Sequence, residues 1–223
     1  MLFFIFIISA IILSLYAQLK VLSTYKKYST SINSFGLTGS DAAKIILINH
    51  NLSHIGIETV DGYLTDHYDP SSKTVRLSTN VYNGTSLSSI GVAAHETGHA
   101  LQHCTNYLPL RIRSSIVHIA AFGSWMPIPI IILGTILGSA GLITFGIITF
   151  IIIFIFYIIT LPIEFNASKR ALDILANGFL TYDEIHAARK VLNAAALTYV
   201  AAPTNSIAEL IRYLIAFFTE KDR

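Results

Sequence analysis

Apolar residues in this 223-residue chain are gathered into two long runs, with polar and shorter-period sequence between and after them. Residues 2–19 carry no charge and are dominated by Leu, Ile and Phe, enough for about one bilayer crossing at 1.5 Å per residue. A cleaved signal peptide would want basic residues before the run and a small-x-small site after it. Nothing basic precedes Leu2, and Leu15-Tyr16-Ala17 is a poor site, so the segment reads as a retained anchor. Residues 114–163 contain no Asp, Glu, Lys or Arg, room for two crossings of about 20 residues each. Gly138-Ser139-Ala140-Gly141 offers the turn of a helical hairpin, and Pro127 and Pro129 kink its first arm, which bilayer helices tolerate. Three transmembrane helices are therefore expected.

Between the runs the pattern changes. Gly36 and Gly39 mark a turn, and Ser40 is the expected N-cap of a short helix with Ala43, Ile46 and Ile48 on its apolar side. Residues 55–60, 63–68 and 73–78 read as short strands; Asp61-Gly62 is the pair a two-residue hairpin requires, so a small antiparallel meander is predicted. Ser86 or Ser88 then opens a small-residue helix through about His103. After the second run, Thr181 and Glu184 form a capping box for a helix through about Ala195. Pro203 interrupts the pattern before Ile207, Leu210, Ile211, Leu214 and Phe218 recur at helical spacing, on a helix that either packs on the domain or lies in the membrane interface. The expected fold is an α+β membrane protein, mostly helical, with its small antiparallel sheet beside the helix of residues 86–103. The expected divisions are an anchor (1–19), a catalytic segment (20–113), a transmembrane hairpin (114–163) and a helical C-terminal segment (164–223).

Composition narrows the function. A 53% hydrophobic and 13% charged chain with its excess gathered in runs belongs in a membrane. The net charge of +2, with no basic cluster beyond two adjacent residues, excludes a nucleic-acid partner. The single cysteine, Cys104, cannot form an intrachain disulfide. Basic residues lie in the loop of 20–113 and in the tail, and none lies at the N-terminus or in the hairpin turn. The positive-inside rule then places loop, tail and active site on the cytoplasmic side of a multi-pass cell-membrane protein.

The chemistry sits in His95-Glu96-Thr97-Gly98-His99, an H-E-x-x-H pattern on the predicted helix. Residues four apart share a helix face about 6 Å apart, so two imidazoles can converge on one tetrahedral Zn²⁺, and Glu96 lies near enough to hold and deprotonate a water. Gly98 is expected to leave the helix surface open beside the metal. A catalytic zinc needs a third protein ligand and an open position. His103 lies about 12 Å along the axis from His95, too far for one metal. Glu164 is the better choice: it is the first charge after the apolar hairpin, it is expected to begin a helix, and an acidic side chain at the edge of a crossing needs a partner.

Three separated stretches carry a resemblance over nearly the whole chain: residues 91–103 around His95, residues 64–70 (Leu64-Thr65-Asp66-His67-Tyr68-Asp69-Pro70), and residues 161–171 around Glu164. Together they resemble the neutral zinc metallopeptidase family, which is in turn similar to the HtpX and CAAX prenyl endopeptidases, membrane gluzincins that bind zinc through two His of H-E-x-x-H and a downstream Glu. The resemblance implies His95, His99 and Glu164 as ligands of one zinc per chain and Glu96 as the base. One position departs from the broader pattern: Ser168 stands where those relatives place an Asp that orients a ligating His.

Weaker expectations complete the site. His67 or Tyr68 donates to the oxyanion of amide hydrolysis, unless these side chains are only structural. Val75, Arg76 and Leu77 form a sheet edge that pairs with an extended substrate, unless this is an ordinary strand. The expected activity is zinc-dependent endoproteolysis of peptide or membrane-protein substrates at the lipid bilayer. The alternative is a zinc-binding membrane scaffold without proteolysis, which would have no need of Glu96 beside His95. A transporter is disfavoured, because His118 is the only ionisable residue inside the long apolar run.

Overall fold

A computed structural model describes residues 2–123 and 126–221. The protein is mostly helical, with eight helices and one small sheet among the described residues. Helix α1 (Leu2–Tyr28) outruns its apolar stretch by two turns and reaches Lys26 and Lys27. Helix α2 (Gly39–Asn49) is capped by Thr38 and not by Ser40: Thr38 and Asp41 form a reciprocal capping box, so the cap lies two residues earlier than expected.

The sheet comprises β1 (Gly56–Val60), β2 (His67–Asp69) and β3 (Thr74–Ser78) in the order β1-β3-β2. It is mixed and not an antiparallel meander: β1 runs parallel to β3, and only β2 is antiparallel to it. Asp61-Gly62 does turn the chain, with Gly62 at φ +114°, but it opens a longer loop tied by the Thr65 hydroxyl to the Asp61 carbonyl. That loop carries the chain past β3 before β2 begins. Strand β3 is therefore central, and four of its five residues are buried on both faces.

The short α3 (Thr79–Tyr82) leads to α4 (Leu87–Cys104), whose N-cap Ser86 accepts from the Ser89 amide. One hydrophobic core joins α2 (Ala43, Ile46, Leu47), β3 (Val75, Leu77), α4 (Ile90, Ala94), and the C-terminal helices through Leu175 and Leu192. Helices α5 (Leu108–Gly123) and α6 (Pro127–Ile136) make up the first arm of the expected hairpin, and α7 (Ala140–Ala176) the second. Among the described residues two helices, α1 and α7, are long and apolar enough to cross a membrane; the expected third is not seen as one such helix, because Pro127 starts a ten-residue helix. The kink expected at Pro127 is thus the start of a separate helix, and the side chain of His118 lies outside the described residues.

Two prolines fail to end helices. Pro162 lies inside α7, so Glu164 sits within a 37-residue helix and does not begin one. Pro203 lies inside α8 (Tyr182–Lys221), which runs as one helix through Lys221. The N-terminus of α8 is held by Glu184, whose carboxylate accepts from the Thr181 amide and hydroxyl and from the Ser34 amide and hydroxyl. Beyond that point α8 packs lengthwise on α1, where the Asn205 amide donates to the Ser14 hydroxyl. Buried alanines at Ala10 and Ala17 of α1 and Ala194, Ala201 and Ala208 of α8 allow the close approach.

Candidate metal centre

Helix α4 lies across α7 because Gly98 has no side chain. A Cβ there would stand 2.8 Å from the Ala167 carbonyl oxygen, so this glycine is a buried contact and not the open surface expected of it. The crossing brings His95 and His99, one turn apart on α4, against Glu164 on α7. Oε2 of Glu164 lies 3.2 Å from Nε2 of His95 and 3.5 Å from Nε2 of His99. The two imidazoles meet edge to face, with centroids 4.8 Å apart.

These atoms fit a metal. Bonds of about 2.0–2.1 Å to a tetrahedral zinc put neighbouring ligand atoms about 3.3–3.4 Å apart, close to both separations to Oε2. The three ligand atoms all lie within 4.8 Å of one another. The donor set, two imidazoles and a carboxylate, is that of a catalytic zinc site with one position left open.

Hydrogen bonds orient each imidazole from behind. Ser168, one turn beyond Glu164, lies with its hydroxyl 3.1 Å from Nδ1 of His95. Ser168 therefore contacts the ring nitrogen of His95 that faces away from Glu164. Nδ1 of His99 lies 3.0 Å from Oε1 of Gln102, which requires a proton on Nδ1 and leaves Nε2 as the acceptor face. Gln102 is fully buried, and its amide donates to the Ile163 carbonyl and to Oδ1 of Asn166, so it also ties α4 to α7.

A cavity of about 180 Å³ opens beside the cluster, and Glu96, His99 and Glu164 all line it. Burial raises the Glu96 carboxyl above its ordinary range, against the opposing pull of His95 and His99. Burial alone would lower His99, but its contacts with Glu164, Glu96 and Gln102 outweigh this and favour a positive charge there.

His67 and Tyr68 also line the cavity, yet each has another bond: Nδ1 of His67 with the Thr65 carbonyl, and the Tyr68 hydroxyl with Nδ1 of His103. His103 thus lies apart from the cluster, as the helix spacing requires. Val75, Arg76 and Leu77 do not form a free edge. Both sides of β3 are paired, Val75 and Leu77 are fully buried, and Arg76 binds Asp69 at 2.7 Å and Glu58 at 3.5 Å.

Three cavity residues escape the sequence reading: Asp66, Arg113 and Tyr199. The Asp66 carboxylate accepts from the Ser78 amide and hydroxyl and fixes the loop to the end of β3. Arg113 places its guanidinium 5.7 Å from the Phe156 ring, and its buried Nε has no hydrogen-bond partner among the described residues. Burial holds the Tyr199 phenol far above its ordinary range, so it remains a donor at neutral pH. Gln102 alone had a local signal, since it lies three residues after His99 on the same helix face.

The cluster suits a zinc metallopeptidase, and the family described as "Putative neutral zinc metallopeptidase" matches residues 3–218, so the chain belongs to it. Its cofactor is Zn²⁺, and its function is at the coarse level zinc-dependent proteolysis. In particular the chain is similar to the "Putative membrane protease YugP" of Bacillus subtilis (strain 168), with 46% identity over 223 residues covering 100% of this chain and 99% of that protein. No solved structure matches it.

Proposed function

We propose that the protein is a membrane-embedded endopeptidase in which His95, His99 and Glu164 hold one Zn²⁺ and Glu96 is the general base. The observation that carries this reading is the convergence of three ligand atoms at the wall of a cavity that Glu96 also lines. Zinc held there supplies Lewis acidity, polarising a carbonyl and acidifying a water. Glu96 takes the proton from the attacking water and returns it to the leaving amine, and its raised carboxyl range suits both transfers. Tyr199 and Arg113 line the same cavity from α8 and α5 and supply hydrogen-bond donors for the oxyanion, a role for which His67 remains a further candidate. Ser168 and Gln102 keep the two imidazoles turned toward the metal.

The cluster sits where the apolar part of α7 ends, so the substrate is a peptide or membrane-protein segment presented at the bilayer surface. The basic residues of 20–113 and of the tail from Lys169 onward support a cytoplasmic position for this surface. A scaffold that only stores zinc has no use for Glu96 in the cavity. Zinc content of the purified chain tests the ligand set: Glu164→Ala should lose the metal, while Ser168→Ala should keep it with affinity reduced about 10–100-fold. Full zinc occupancy in Glu164→Ala, at chelator concentrations that strip His95→Ala, would remove Glu164 from the site.

A further inference from the structure

A second and larger cavity, a groove of about 460 Å³, lies between α1 and α8 and is not part of the metal site. Lys20 and Lys27 line it from α1 and Lys190 from α8, with Thr24, Asn193 and Leu197 between them. Among the described residues no carboxylate lines the groove, and none of the ion pairs involves these lysines. Three lysines with no carboxylate beside them make the groove favour an anion over a cation.

The groove also has a direction. Helices α1 and α8 run antiparallel, since Asn205 meets Ser14 while residues 20–28 share the groove with residues 190–197. Lys20 and Leu197 therefore mark the end nearer the apolar part of α1, and Lys27 and Lys190 the end away from it. Lys20 is the first charge after the apolar run that ends at Leu19, so the groove lies at the level of lipid headgroups. Lysines along the groove, with the neutral Thr24 and Asn193 between them and Leu197 on the side toward the bilayer, complement an amphiphile with an anionic head.

We propose that this groove holds the phosphate headgroup of an anionic phospholipid, with Lys20, Lys27 and Lys190 around the phosphate and an acyl chain leaving past Leu197 along α1. Basic side chains at a membrane surface each strengthen anionic-lipid binding about fivefold, so the three together should be worth about a hundredfold.

The full chain in phosphatidylcholine nanodiscs, with phosphatidylglycerol titrated in, tests this by native mass spectrometry of the lipid retained after release. Wild type should retain one phosphatidylglycerol. The triple variant Lys20→Gln/Lys27→Gln/Lys190→Gln should need about a hundredfold more for equal retention, and Lys190→Gln alone about fivefold more. A charge-matched control, Lys26→Gln/Lys44→Gln/Lys73→Gln, should behave as wild type. No retained phosphatidylglycerol in wild type, or equal loss in both triple variants, would overturn the site. Displacement of the lipid by millimolar inorganic phosphate alone would show a free-anion site and overturn the lipid assignment.

Discussion

A matched pair of glycine substitutions on α4 tests how the metal ligands are brought together. In Gly98→Ala the new Cβ would stand 2.8 Å from the Ala167 carbonyl oxygen and 3.3 Å from its Cα and carbonyl carbon, all backbone atoms of a helix that cannot rotate away. Ordinary contact begins near 3.4 Å, so α4 and α7 must part by about 0.6 Å, the difference between the two distances to oxygen. Such overpacking costs about 1–3 kcal/mol, offset by about 1 kcal/mol from the better helix propensity of Ala, for a net loss of about 0–2 kcal/mol. The metal should suffer more than the fold. Ala167 lies between Glu164 and Ser168, and a shift of this size exceeds the tolerance of about 0.5 Å within which a site keeps its geometry. Zinc affinity should fall about 10–100-fold, as when an orienting group is removed. Gly91, two turns earlier, faces Ala188 with its nearest atom at 3.8 Å, an ordinary contact. Gly91→Ala should therefore keep zinc affinity and gain up to about 1 kcal/mol in stability. Chelator-competition titration gives the affinities and thermal unfolding in detergent the stabilities. Wild-type zinc affinity in Gly98→Ala, or an equal loss in Gly91→Ala, would refute the close approach of α4 and α7 as the device that sets the site.

Two further outcomes follow from the fold. Burial pushes the Glu184 carboxyl up, but the hydrogen bonds from Thr181 and Ser34 outweigh it and hold the group below its ordinary range. A depressed carboxyl stabilises the fold fully above the unfolded value of about 4.3 and loses that contribution as pH falls through the folded value. Glu184→Gln should thus cost about 1–3 kcal/mol at neutral pH and flatten the acid limb of the unfolding profile; an unchanged acid limb would contradict it. Cys104, the single cysteine, is exposed at the C-terminal end of α4 and reports which side of the membrane the metal helix faces. A membrane-impermeant maleimide should label it in lysed but not intact cells, and labelling from outside intact cells would reverse the topology.

The chemistry was legible wherever it obeyed local periodicity. His95, Glu96 and His99 lie within two turns of one helix, and Glu164 stood out as a charge at the end of an apolar run; the structure clusters His95, His99 and Glu164, and Glu96, His99 and Glu164 line one cavity. The cap of α4 was legible to within two residues, as Ser86 or Ser88, and the bond from the Ser89 amide makes it Ser86. The sheet was not legible, because Asp61-Gly62 has the composition of a hairpin turn and nothing local distinguishes that from a longer loop leading to a parallel pairing. Pro203 misled as an interruption, and Glu164 as the start of a helix, since the hydrogen bond lost at a proline is tolerated where neighbouring helices pack closely around it. Arg113 and Tyr199 had no signal at all. They reach the cavity only through the packing of α5 and α8 on α7, contacts between residues far apart in sequence.

The central claim is that Glu96 serves the reaction while His95, His99 and Glu164 serve the metal. Glu96→Gln separates the two roles in one preparation, by zinc content and by cleavage of a denatured membrane protein in parallel with wild type. The substitution keeps the shape and removes the proton acceptor, so zinc should stay at one per chain while cleavage falls by at least about 10²–10⁴. Equal loss of zinc and activity would make Glu96 a ligand, and cleavage at the wild-type rate with zinc retained would contradict its role as the base.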